Sequence, residues 1–151
     1  MNVYWYLKHF RDLTTTELYQ ILQLRNEVFI VEQNCPFQDL DDKDFYCFHF
    51  MGFDTDSQKI VAYTRLLPPG ISYSEASIGR VVTSPIARGT GIGKVLMQKS
   101  LDTLEEMFAS ANIRIGAQLY LKNFYESFGF QQDSEVYLED GIEHILMIRE
   151  V

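Results

Sequence analysis

Between residues 88 and 94 the chain reads Arg88-Gly89-Thr90-Gly91-Ile92-Gly93-Lys94, three alternating glycines flanked by cations at the start of a long run with helical apolar spacing. The first turn of a helix carries N–H groups with no partner inside the helix, and the helix dipole adds positive potential there. Glycines let the backbone approach an anionic oxygen closely, and Arg88 can add a charge-assisted hydrogen bond. Residues of these types in this order suit a phosphate or diphosphate ligand. A Walker A loop is disfavoured, because Val95 follows Lys94 where Ser or Thr is required and no glycine stands at position 88. A dinucleotide fingerprint is disfavoured too, because Gly89 to Gly93 is G-x-G-x-G in place of G-x-G-x-x-G.

Other residues invite chemistry less directly. Arg25 interrupts an apolar stripe, and Arg65 and Arg80 interrupt apolar strands. Each is expected to pair with a carboxylate, the alternative being that one of them grips a substrate carboxylate. Asn34 to Asp44 holds Pro36 and the aspartates Asp39, Asp41, Asp42 and Asp44 without any period, so it reads as an exposed loop that either draws a cationic amine or is simply solvated. Calcium is disfavoured there, because Lys43 and Asp44 stand where an EF-hand needs an oxygen ligand and a glycine. Cys35 and Cys47 form no C-x-x-C pair and read as buried thiols, so no metal site is expected.

The elements that must carry these residues follow from pattern and punctuation. Val3 to Lys8 reads as a strand, and Thr14-Thr15-Thr16-Glu17 supplies a capping box for a helix starting near Thr15. Leu18, Ile21, Leu22, Arg25, Val28 and Phe29 form its stripe, which continues towards Glu32. Phe45 to Phe53 and Lys59 to Leu67 read as a hairpin, and Ala76 to Thr83 as the next strand. A second helix from Ile92 runs to about Ala111, followed by a strand at Ile113 to Gln118, a helix at Leu119 to Phe128 capped by Gly129, and strands at Phe130 to Tyr137 and Ile142 to Arg149 around Asp140-Gly141. The order β-α-β-β-β-α-β-α-β-β predicts an α/β fold with a mixed sheet.

With that order and with Arg88, Gly91 and Gly93 matching R/Q-x-x-G-x-G/A, the chain resembles the GNAT superfamily of acetyltransferases. The strand Ile78-Gly79-Arg80-Val81-Val82-Thr83 and the segment Asn123-Phe124-Tyr125-Glu126-Ser127-Phe128-Gly129-Phe130 stand where that family carries its donor strand and second cofactor motif. Leu24 to Pro36, Gly79 to Val82 and Glu139 to Ile145 resemble its ElaA-like branch. The resemblance implies a GNAT-like mixed, mostly antiparallel central sheet flanked by helices, with residues 1–151 as a single N-acetyltransferase domain. It implies transfer of an acetyl group from acetyl-CoA to a primary amine by direct attack, without a metal.

The same resemblance distributes roles. Arg88, Gly89, Thr90, Gly91, Ile92, Gly93 and Lys94 would hold the diphosphate of acetyl-CoA, the backbone of Val81, Val82 and Thr83 its pantetheine arm, and Asn123 would bond that arm as well. Tyr125 would return a proton to the departing thiolate. An amine must lose a proton before it attacks, which calls for a base acting directly or through water. Glu32, His49 and His144 are the candidates, with Glu32 and His144 placed ahead of His49. Two alternatives stay open: a non-catalytic CoA-binding module, and an enzyme like the acyl-homoserine lactone synthases, which Leu24-Arg25 and Val28-Phe29 also resemble.

Charge and hydropathy bound the partners. Thirteen basic against 21 acidic side chains give a net charge of -8, which opposes binding to nucleic acid or anionic membranes and favours a small-molecule or peptide amine acceptor. No basic leader followed by an apolar run, and no long uncharged apolar stretch, is evident, so a cytoplasmic protein is expected. A homodimer remains open.

Overall fold

The computed structural model describes residues 1–109 and 112–151. Strands β1 (Val3–His9), β2 (Phe48–Asp54), β3 (Lys59–Leu67) and β4 (Ser77–Thr83) form an antiparallel four-stranded sheet in sequence order. A second four-stranded sheet is built around β8 (Ile142–Arg149), with β5 (Ile113–Gln118) on one side and β6 (Gln131–Gln132) and β7 (Tyr137–Glu139) also paired to it. The halves meet at a parallel bridge between Ala76 and Ile113, where Arg114 N donates to Ala76 O at 3.0 Å. This is the mixed, mostly antiparallel α/β architecture expected from the sequence. Past the bridge no ladder joins β4 to β5 among the described residues, so the sheet splits and a cleft opens between them.

Helices close both faces. Helix α1 (Thr15–Arg25) begins at a capping box, in which Thr14 Oγ1 accepts from Glu17 N at 3.1 Å and Glu17 Oε1 accepts from Thr14 N at 2.8 Å. It continues into a π-helical segment, Asn26–Glu32. Ile21, Leu24 and Val28 pack on Met51, Ile60, Tyr63 and Val82, while Leu18, Leu22 and Phe29 of the expected stripe are only partly covered. On the opposite face α2 (Ile92–Met107) joins Leu96, Met97, Leu101 and Leu104 to Val61, Leu66, Ile115 and Met147. This helix ends earlier than expected, at Met107, because Phe108 leaves helical torsions at φ -132° and ψ 71°; Ala111, its expected end, lies outside the described residues.

Three boundaries differ from expectation. Phe45 and Tyr46 belong to a 3-10 turn, Lys43–Tyr46, and are exposed; the turn brings Asp44 inward, and the strand starts only at Phe48. The stretch Phe130 to Tyr137 is not one strand, because Ser134 Oγ accepts from Leu146 N at 2.8 Å and takes the place of a ladder bond. The helix expected from Leu119 to Phe128 starts as a 3-10 turn, Leu119–Leu121, and is α-helical over α3 (Lys122–Glu126).

The aspartate-rich loop is not the exposed loop of the sequence reading. Asp44 is buried and Asp39 and Asp41 are half-buried, because the arginines that break the apolar runs draw them in. Arg25 Nε and Nη1 donate to Asp39 Oδ2 at 2.9 Å and Asp44 Oδ1 at 2.8 Å. Arg65 Nη1 bonds Asp44 Oδ1 at 2.9 Å and Asp41 Oδ1 at 2.8 Å, and Arg80 Nε bonds Asp39 Oδ1 at 2.7 Å. All three arginines are therefore paired, as their positions predicted, since an unpaired buried guanidinium is far costlier than a paired one.

Burial alone would raise the Asp41 and Asp44 carboxyls, but the arginines outweigh it and hold Asp41 down to about 2 and Asp44 below the usual range. A depressed folded-state pKa contributes stability that is present above the unfolded value, about 3.9, and is lost as pH falls through the folded one. Thermal unfolding followed from pH 6 to 2 should show the midpoint falling most steeply below about pH 4. Asp44→Asn should cost about 3 kcal/mol at neutral pH and make that acid-side fall shallower.

Candidate active site

The cleft left by the splitting sheet is a cavity of about 650 Å³. β4 forms one wall, Ile115, Gly116 and Gln118 of β5 with Ile142 and His144 of β8 form the other, and the end of the π-helical segment closes a side through Phe29, Glu32 and Gln33. The β4 wall is irregular. Tyr63 pairs with Val82 and Arg65 with Gly79, so Arg80 and Val81 together face Thr64 alone. This is a β-bulge, and Arg80 takes φ 51° to make it. A left-handed torsion at a non-glycine residue needs support, which the Arg80 bonds to Asp39 supply. The bulge removes Arg80 and Val81 from the ladder with β3 while the outer edge of β4 faces the cleft, so backbone groups there are available to a ligand.

At one end of β4 lies the glycine loop. Gly89 and Gly91 have φ 80° and 79°, the left-handed values that favour glycine. Gly91 is the N-cap of α2 and offers no side chain, so first-turn N–H groups of the helix are left for an anion. A Cβ at Gly89, Gly91 or Gly93 would meet nothing within 4 Å; the space above the loop is open. Thr90 Oγ1 donates to Ala87 O at 2.6 Å and braces the turn. Ile92 buries its side chain in the core, which leaves only its backbone for a ligand, and Lys94 is exposed.

Arg88 is not free. Its Nη1 and Nη2 donate to Glu32 Oε2 at 2.6 Å and Oε1 at 2.7 Å, and Nη2 reaches Thr83 O at 3.3 Å. Two of the residues singled out in the sequence therefore hold each other. The hydrogen bonds and charge of Arg88 keep the Glu32 carboxyl below its ordinary value, which makes it a weaker proton acceptor.

Tyr125 lies on α3 with its ring in the core against Phe124 and Phe130, and it lines the cavity. Burial, with a smaller contribution from Tyr120, pushes its phenol up to about 12. Asn123, at the start of the same helix, is exposed and does not line the cavity.

The two histidines differ sharply. His49 is buried, with Nε2 on Asp44 O at 3.0 Å and Nδ1 on Tyr63 OH at 2.6 Å. A carbonyl only accepts, so Nε2 carries the proton and Nδ1 accepts from the tyrosine; both nitrogens are used inside the protein, and burial pushes its pKa down. His144 lines the cavity, and its Nδ1 bonds Ile142 O at 2.8 Å. The same argument fixes the proton of the neutral ring on Nδ1 and leaves Nε2 with its lone pair. Glu139 Oε2 lies 3.4 Å from Nε2, and the Tyr137 ring stacks on the imidazole at 5.9 Å.

Glu139, Lys43 and the bulge at Arg80 are features of the cavity that sequence reasoning did not single out. Asp140-Gly141 does signal the hairpin that turns Glu139 back beside His144, but nothing in a run of apolar residues signals a bulge at an arginine.

A split mixed sheet, a bulged strand facing the cleft and a glycine loop capping the next helix together define an acyl-CoA-dependent acyltransferase. The family model for the acetyltransferase (GNAT) domain matches residues 26–151, and the chain belongs to that family. It is 44% identical over 149 residues to protein ElaA of Escherichia coli, covering 97% of this chain and 96% of ElaA. The crystal structure of E. coli ElaA superposes with a TM-score of 0.91 at 42% identity, covering 99% of this chain and 100% of that one. An acyl-CoA N-acyltransferase from Pseudomonas aeruginosa gives a TM-score of 0.93 at 43% identity, with 98% and 99% covered. A GNAT family acetyltransferase from Elizabethkingia anophelis, with acetyl-CoA bound, shares the fold at a TM-score of 0.66 and 16% identity over 99% of both chains.

The open space at Gly93 separates fold from ligand. Gly93→Ala should leave the thermal midpoint of the unliganded protein unchanged or slightly higher, since a helical alanine is favoured over glycine. It should weaken CoA binding measured by calorimetry roughly ten-fold, about 1.4 kcal/mol, by placing a methyl where a phosphate oxygen would approach.

Proposed function

We propose that residues 1–151 act as one domain that transfers an acetyl group from acetyl-CoA to a primary amine of a small-molecule or peptide acceptor, by direct attack. The observation that carries this reading is one cavity lined by the bulged β4 edge, by Tyr125 and by Arg88, the residue that opens the glycine loop. Bound acetyl-CoA would supply the acyl group as a thioester. Arg88 and the N–H groups of the loop from Gly89 to Lys94 hold the diphosphate, a task for which the uncapped helix start and the open space above the glycines are suited. The β4 backbone at Val81, Val82 and Thr83 holds the pantetheine arm, and an N–H of Val81 or Val82 aimed at the acyl oxygen stabilises charge as it develops.

Tyr125 stays protonated at neutral pH because burial raises its phenol to about 12. A thiol titrates near 8.5, so complete transfer from this phenol to the departing sulfur is uphill. Tyr125 therefore acts chiefly by donating a hydrogen bond as negative charge builds on sulfur. For the base we favour His144, which lines the cavity with its proton held on Nδ1 by Ile142 O, over Glu32, since an imidazole is a stronger base than a carboxylate. Glu139 Oε2 stands 3.4 Å from Nε2 of His144, beside the nitrogen that would take the proton. No metal is assigned a part.

Steady-state acetyl transfer to a panel of primary amines, with acetyl-CoA consumption as the readout, tests the activity. Tyr125→Phe should lower kcat roughly 10²-fold while leaving CoA affinity within two-fold of wild type; unchanged turnover removes Tyr125 from the mechanism. His144→Gln should lower kcat/KM to a similar degree and abolish the fall in activity on the acid side of the pH profile, because that fall reports protonation of the base. Retention of the acid limb in this variant would move the base elsewhere.

A further inference from the structure

The bond between Arg88 and Glu32 has the geometry by which a guanidinium grips a phosphate: two parallel N–H groups meeting two oxygens of one anion, at 2.6 and 2.7 Å. We propose that Glu32 is the chain's own occupant of the Arg88 anion position and competes there with the diphosphate of the cofactor. This rests on the assignment of Arg88 to Lys94 as the diphosphate loop. The carboxylate presents one oxygen to each arm of the fork, as a phosphate would, and it comes from a different element, the last residue of the π-helical segment. Arg88 cannot offer the same fork to both.

The contact is built to be given up. Both side chains are about two-fifths exposed, at 42% and 41%, so separation leaves no buried charge behind. An exposed pair of this kind is weak, whereas a diphosphate engages Arg88 together with the N–H groups of the loop. Thr83 O keeps a second hold on the guanidinium at 3.3 Å, which leaves Arg88 beside the end of β4 when Glu32 departs. Glu32 is then an unpaired carboxylate on the cavity wall. The competition holds the affinity for the cofactor below what the loop alone would give and raises the rate at which it leaves.

Calorimetric titration of CoA into wild type, Glu32→Gln, Glu27→Gln, Arg88→Gln and the Glu32→Gln/Arg88→Gln pair tests this. Glu27 acts on Arg88 through its charge without bonding it, so its variant measures the general effect of removing a carboxylate from this region. Glu32→Gln should bind CoA about three- to five-fold more tightly, Glu27→Gln should change the affinity far less, and Glu32→Gln should have no effect when Arg88 is already Gln. An affinity in Glu32→Gln equal to or weaker than wild type overturns the proposal. So does an equal gain in Glu27→Gln, or a gain that persists without Arg88, since each would make the effect one of bulk charge. Absence of CoA binding by wild type and every variant would instead remove the cofactor assignment, and this proposal with it.

Discussion

The cluster of Arg25, Arg65 and Arg80 with Asp39, Asp41 and Asp44 holds together four parts of the chain, of which only β3 and β4 share a backbone ladder. Arg25 stands at the end of α1, the aspartates on the following loop, Arg65 on β3 and Arg80 at the bulge of β4. Arg25 is fully buried, so the guanidinium has no route to water and must find its carboxylates in place. That requirement folds an otherwise polar loop down onto the sheet, and the loop in turn supplies a wall of the cavity. Because Asp39 bonds both Arg25 and Arg80, the helix end and the strained residue of β4 are fixed against each other. The left-handed torsion of Arg80, and with it the backbone that faces the cleft, is the local cost of this arrangement.

The cleft itself follows from a single short junction. β4 and β5 begin as neighbours at Ala76 and Ile113 and then part, and the helices keep the halves from closing: α2 fills one face, while α3 projects Tyr125 into the gap between them. Ligand-facing backbone is thus obtained at the inner edge of β4, inside the cleft. Between the wall that would hold a cofactor and the wall that carries His144 stands only the width of the cavity, which brings donor and acceptor chemistry within one enclosure.

Much of this was legible in the residues. Apolar spacing and turn signals placed β3, β5 and the start of α2 at the residues where they occur, because those elements obey local propensity and lie in the core. The capping box at Thr14 and the glycine loop were readable because their chemistry is local to a few consecutive positions. What escaped is what depends on distant partners. The aspartate-rich loop looked solvated because its arginines lie on three other elements, and Phe45 looked like strand because nothing nearby reveals that Asp44 must turn inward. The pairing of Glu32 with Arg88 was likewise hidden, though each residue had been marked for the site separately. The distinction between His49 and His144 is of the same kind: both sit in strand-like runs and both meet a carbonyl, and only the Tyr63 hydroxyl on the other nitrogen of His49 tells the structural histidine from one with a nitrogen to spare.

β8 lies between β5 and the short strands β6 and β7, although it follows all of them in the chain. The first sheet consists of consecutive neighbours and can assemble as its residues leave the ribosome. The second cannot: β5 has no partner of its own among β1 to β4 beyond the bridge at Ile113, and β6 and β7 pair only with β8. Half of the cavity wall therefore waits for residues 142–149 to be made. Until that moment the apolar side chains of β5 and α3 have no strand to cover them, and a nascent chain carries a finished first sheet beside an unformed binding site.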